Sequence, residues 1–144
     1  MSKLSRFAAT SLLALACSSV AFAADSGKSL YDRLGGKGAL TAVVNELWAV
    51  VSVDARINAS FAHTKPEVFG GQLVDFLCQA SGGPCQYQGK DMKSAHTGMK
   101  LSDADFNALA EDAVKVLDKF KVPAAEKGEV MGLLGSLKGD IVNR

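Results

Sequence analysis

Apolar side chains recur at intervals of three and four residues through four separate stretches, and that period commits most of this chain to amphipathic helices. The first stretch holds Leu40, Val43, Val44, Leu47 and Val51, with Trp48, the only tryptophan, beside the stripe. Abundant valine leaves a strand open for Val43–Val53, but the period favours a helix of ~15 residues. A second stretch carries Phe69, Leu73, Phe76, Leu77 and Ala80, and ends at Gly82-Gly83-Pro84. The third carries Phe106, Leu109, Ala110, Ala113, Val114, Leu117 and then Phe120 or Lys121. The fourth carries Val130, Leu133, Leu134, Leu137 and Ile141.

Punctuation falls between the stripes. Leu30 to Leu34 reads as one or two turns stopped by Gly35-Gly36. Asp54 to Ala62 reads as a corner anchored by Ile57 and Phe61. Thr64, with Glu67 three residues on and Pro66 in the first turn, has the form of a capping box. Gly98 stops a short helix, Ser102-Asp103-Ala104-Asp105 caps the next, and Val122-Pro123 separates the last two. The fold class is all-α, with several short helices and three or four longer ones. No internal repeat, low-complexity tract or linker interrupts it.

Residues 1–23 read as a secretory signal. Lys3 and Arg6 form the positive end, Phe7 to Ala16 the apolar centre, and Ala21-Phe22-Ala23 a cleavage site before Ala24. Thr10, Ser11, Ser18 and Ser19 interrupt the apolar run and argue against a permanent membrane span. Leu15-Ala16-Cys17 partly matches a lipid-attachment site, but Ala14 stands where leucine is usual. The expected destination is therefore outside the cytoplasm, in a bacterial periplasm.

Residues 24–144 are then a single domain. The signal holds two of the 16 basic residues and none of the 15 acidic ones, so the remainder is one charge below neutral. Nothing is basic enough to suggest nucleic acid or an anionic membrane surface as partner. Cys78 and Cys85 remain, and in an exported chain an even pair reads as a disulfide. It would close a short loop over Gly82-Gly83-Pro84, worth ~2–3 kcal/mol before native strain. Two neighbouring thiols are the alternative.

The residues suited to chemistry are few. Histidine occurs only at His63 and His96. There is no His-Glu-x-x-His, no nucleophile elbow and no Cys-x-x-Cys-His, so c-type haem attachment is excluded. Zinc would need three or four ligands, and these histidines and cysteines are irregularly spaced. Met92, Ala95, His96 and Met99 do share one helical stripe, which places an imidazole among apolar neighbours. Such a histidine is either a buried residue bonded to a backbone carbonyl or a ligand for iron or zinc. Haem needs one strong protein ligand and many apolar contacts, and Phe61, Phe69, Leu73, Phe76 and Leu77 offer an apolar wall. That wall also reads as plain core.

Several short motifs occur in a telling order. They are Leu30-Tyr31-Asp32-Arg33-Leu34-Gly35-Gly36, Asp54-Ala55-Arg56-Ile57 before Phe61, Gly82-Gly83-Pro84, Tyr87-x-Gly89, Met92, Ala95-His96 and Val122-Pro123. In this order the chain, from Leu30 to about Val142, resembles the truncated haemoglobins of group 1, short globins with a two-over-two helical sandwich. The resemblance implies a non-covalent haem b whose iron is bonded by His96, with Phe61 stacked on the porphyrin. It places Phe76, Leu77, Met92 and Phe106 along the haem and Tyr87 close to it. It places Lys90 and Lys93 where basic residues often meet the propionates.

The distal face implied by the resemblance is Trp48, Phe69, Gln72 and Leu73. Many members carry a tyrosine where this chain has Trp48, and a glutamine or histidine on the distal helix. Here only the Gln72 amide and the Trp48 indole remain as donors. A charge-assisted bond contributes ~1.5–3 kcal/mol, so oxygen should bind more weakly or leave faster, with carbon monoxide less affected. His63, just past Phe61, reads as facing solvent rather than as a sixth ligand. No histidine matches the last-helix position used for covalent attachment in some relatives.

The leading expectation is an exported haem protein binding oxygen, nitric oxide or carbon monoxide. A second is turnover at the same iron, as nitric oxide dioxygenation or peroxidase-like chemistry. It would need a separate reductase, since no flavin or nicotinamide motif is present. A third is a helical interaction domain that has lost haem. Oligomeric state is not legible.

Overall fold

Ser29 opens the first helix: its hydroxyl accepts the Asp32 N–H at 3.1 Å, and Leu30 is buried behind it. The computed structural model describes residues 27–144; the signal segment, its cleavage site and Cys17 lie outside the described residues. Helices follow as α1 (Leu30–Arg33), α2 (Gly36–Val51), a 3-10 turn (Asn58–Phe61), α3 (Pro66–Ala80), α4 (Met92–His96), α5 (Asp103–Lys119), α6 (Ala124–Ser136) and α7 (Lys138–Ile141). Among the described residues there is no strand, and no helix is long and apolar enough to cross a membrane.

The long helices pair. α2 packs along α3, α5 packs along α6, and α2 meets α5 between the pairs. This is the two-over-two arrangement. The short helices brace it: α1 lies against α2 and α6, where the Arg33 guanidinium bonds Glu126 at 2.8 Å and Glu129 at 2.6 Å. α4 lies against α7.

The best-buried cluster forms where the end of α2, the corner and α5 meet. Val51, Ile57 and Ala108 are at most 3% exposed, with Leu47, Trp48, Phe61 and Leu109 packed around them. Burying a valine or isoleucine contributes ~1.5–3 kcal/mol, so this joint anchors the corner that the apolar spacing assigned to Ile57 and Phe61. The corner is also tied by charge. Arg56 bonds both oxygens of Asp54 and one of Glu111, and these bonds hold the Asp54 carboxyl well below the usual carboxylate range.

Local departures from the spacing have physical causes. The Thr64 capping box does not form: the N-cap of α3 is Lys65, with no side-chain cap. Pro66 pushes the residue before it into extended backbone, so the helix starts abruptly and Thr64 stands outside it. The fourth stripe is broken at Leu137 into α6 and α7, where Leu137 N–H turns to the Leu134 carbonyl in the tighter i−3 pattern. α5 is buried on a second face as well, through Ala108, Asp112 and Val116, while Phe120 at its end is 42% exposed. Asp112 is fully buried; its Oδ1 accepts from Lys115 at 2.8 Å and its Oδ2 has no hydrogen-bond partner among the described residues. The Ser102–Asp105 capping box at the start of α5 forms as the spacing predicts.

Candidate ligand cavity

α4 exists because Asp91 caps it. The Asp91 carboxylate accepts the Ser94 N–H at 2.9 Å, and bonds to Ser94 hold that carboxyl below its ordinary range. Its last residue is His96, whose Nδ1 lies 2.7 Å from the Met92 carbonyl oxygen. A carbonyl only accepts, so Nδ1 carries a proton, and in the neutral ring the lone pair is then on Nε2. The backbone bond expected of a structural histidine is present, and it also fixes the tautomer that a metal ligand requires.

Met92, Ala95, His96 and Met99 all line one cavity of about 340 Å³. α3 contributes Phe69, Gln72, Leu73, Phe76 and Leu77, the corner contributes Phe61, and α5 contributes Phe106. These aromatic rings brace one another, with Phe61 edge-on to Phe69 at 5.6 Å between centroids. Tyr87, in the loop before α4, meets Phe76 edge-on at 5.3 Å and donates its hydroxyl to the Lys90 carbonyl at 2.8 Å. Burial, and secondarily the nearby Asp91 charge, push the Tyr87 phenol up from its ordinary value.

Other expected site residues stand elsewhere. Trp48 does not reach the cavity wall: its ring lies behind, 5.3 Å from the Phe69 centroid and 6.0 Å from that of Phe61. Leu47, one position earlier, takes the wall instead. Lys90 and Lys93 are exposed and outside the wall, and His63 is exposed. Gln72 stands at the exposed rim with its side chain against the loop at Gly89. A Cβ at that position would collide with Gln72 Oε1 and with the Tyr87 hydroxyl oxygen, so only glycine allows this approach.

The cavity runs deeper than the expected residues. Val43 and Val44 of α2, Val116 and Leu117 of α5, and Val130, Leu133 and Leu134 of α6 complete its back. All but Val116 belong to the apolar stripes, which do not by themselves distinguish a wall from a filled core. Besides Gln72, Tyr87 and His96, the polar lining residues are Ser60 and Asp105. The Asp105 carboxylate is bound to the Ser102 N–H and hydroxyl, which lower its pKa.

These features fit haem. The volume lies in the ~300–1,000 Å³ range of cofactor sites. A single imidazole donor among apolar walls suits an iron that brings four equatorial ligands of its own.

Comparison with known proteins gives the same direction. A family model described as bacterial-like globin matches residues 29–143. A group 1 truncated haemoglobin of Tetrahymena pyriformis is 31% identical over 117 residues, covering 81% of this chain and 97% of that protein. One from a Nostoc species is 32% identical over 116 residues, covering 81% and 98%. The crystal structure of the Tetrahymena pyriformis truncated haemoglobin in its Fe(III) form superposes with a TM-score of 0.78 over 81% of this chain and all of that one. A Synechococcus 2/2 haemoglobin, solved in the cyanomet state with covalently attached haem, gives 0.76 at 32% identity over the same 81% of this chain and all of its own.

Proposed function

Because the chain belongs to the bacterial-like globins, as a group 1 truncated haemoglobin, we propose that it carries haem b non-covalently on His96 and binds oxygen, nitric oxide or carbon monoxide in an extracytoplasmic compartment. The observation that carries this reading is the His96 Nδ1 bond to the Met92 carbonyl inside the cavity, which presents Nε2 as the free donor. Haem, when bound, supplies an iron that takes up diatomic gases reversibly.

The chain's residues then do three things. His96 holds the metal, Phe61, Phe76, Leu77, Met92 and Phe106 exclude water, and the α3 face sets which gas is favoured. Phe69 and Leu73 cannot donate a hydrogen bond, Trp48 stands behind them, and Gln72 leans on Gly89. A site so poor in donors favours carbon monoxide and nitric oxide relative to oxygen, the most polar of the three when bound. An even cysteine pair, Cys78 and Cys85, supports an oxidising destination, as does the signal-like segment 1–23.

Titration of haem into the haem-free chain tests the proposal. One equivalent should bind and acid–solvent extraction should remove all of it. Saturation away from one equivalent, or haem left on the protein after extraction, would contradict it.

A further inference from the structure

We propose that Cys78–Cys85 is a site of thiol–disulfide exchange whose state sets how firmly the His96 segment holds haem. The inference rests on His96 as the haem ligand.

The segment between α3 and α4, residues 81–91, carries Tyr87 in the cavity wall and leads directly into the helix of His96. The Ser81 carbonyl at its start accepts the Tyr31 N–H at 2.9 Å and Gly89 near its end lies against Gln72, while the ties of its middle converge on one place. The Gly83 N–H donates to the Cys78 carbonyl at 2.7 Å, the Tyr87 N–H to Gln79 Oε1 at 2.7 Å, and the Tyr87 ring rests on Phe76. These three end on residues 76–79, the last turn of α3, and the disulfide is the covalent tie among them. Beyond this segment α4 has only five residues and packs against α7, and the stretch after it is bonded to the C-terminus through Lys100 and Leu101, so the segment is what fixes His96 from the N-terminal side.

Two thiols need more room than one disulfide, and that room is missing around Cys78. Its residue is 0% exposed, and a Cβ on Gly83 would lie 2.7 Å from its sulfur and 2.6 Å from the Tyr31 ring. Cys85, on the loop and partly exposed, is therefore the half that moves and the half a reductant reaches. A dithiol thiolate attacks the Cys85 sulfur, the S–S bond breaks, and Cys78 leaves as a thiolate that takes a proton. The second thiolate then attacks its partner's sulfur in the mixed disulfide, releasing Cys85 and closing the reductant's own disulfide. Two electrons pass from the dithiol to the protein. Residue 85 is then free to leave α3, and Tyr87 and His96 lose their fixed spacing.

Two arms test this. In the haem-free chain, amide hydrogen exchange over residues 85–96 should quicken after dithiothreitol reduction, and equally in Cys85→Ser, with α5 unchanged. In the ferric haem-bound chain, transfer of haem to excess apomyoglobin should be about tenfold faster in Cys85→Ser and in C78S/C85S than in the oxidised chain. Neither variant needs a reductant, so iron chemistry does not intervene. Unchanged exchange, equal transfer rates, or a bond that dithiothreitol leaves intact in the folded chain would each overturn the proposal. A chain that exchanges faster on reduction yet takes up no haem would overturn the His96 reading instead, and the haem coupling with it.

Discussion

The imidazole of His96 is useful only because Met92 lies one turn before it: that carbonyl accepts the Nδ1–H hydrogen bond and leaves Nε2 as the free nitrogen. The complementary side chain is Leu73, which lines the same cavity and donates nothing. Leu73→Gln should slow oxygen dissociation by roughly tenfold, the scale of a donor bond of ~1.5 kcal/mol, with carbon monoxide dissociation changed far less. Equal effects on both gases by flash photolysis would show that polarity at this wall does not set the preference. Gly89→Ala is the steric counterpart. The added methyl group meets Gln72 and the Tyr87 hydroxyl, and overpacking should cost about 1–3 kcal/mol in urea unfolding. A Gly89→Ala chain as stable as the parent would contradict that contact. The His96 stripe was legible in the sequence because four residues at helical spacing fix one short face. The Leu47–Trp48 exchange was not, because adjacent helical positions differ by about 100° in direction and both lie near one stripe. Only packing against Phe61 and Phe69 decides which of them reaches the cavity.

Among the elements, α5 carries the most weight, since it lines the cavity on one side and closes the corner on the other. Its start depends on the reciprocal Ser102–Asp105 box, and Ser102→Ala should cost about 1 kcal/mol by chemical denaturation. A loss near zero would mean that packing alone holds that end. The corner predicts an acid response. The Asp54 pKa is lowered from its ordinary 3.8, chiefly by the Arg56 hydrogen bonds. A lowered folded-state pKa contributes stability that is present above the unfolded value and is lost as pH falls below it. The melting temperature should therefore drop between pH 5 and pH 3, and drop less in Asp54→Asn. Parallel acid limbs in the two proteins would exclude Asp54 as a source. The second buried face of α5 escaped the sequence because period counting follows apolar residues, and a carboxylate, Asp112, occupies its centre. The Thr64 box was expected and does not form, because proline's constraint on its predecessor outweighs a favourable capping pattern.

At the scale of the molecule, two pairs of packed helices leave a cavity open to one histidine, which stands on the short helix that follows the α3–α4 loop. The all-α class and helix order were legible because a period near 3.6 survives even in short elements. The cavity's depth was not: Val43, Leu117 and Val130 read identically as wall or as filled core until the helices are placed. The central claim is that this cavity binds haem through His96. The most direct measurement is the ultraviolet–visible spectrum of the haem-loaded chain in ferric, dithionite-reduced and carbon-monoxide-bound forms, beside His96→Ala. A Soret band that shifts with reduction and with carbon monoxide, and is lost in the variant, is the expected result. No Soret band in the parent, or identical spectra in parent and variant, would contradict it.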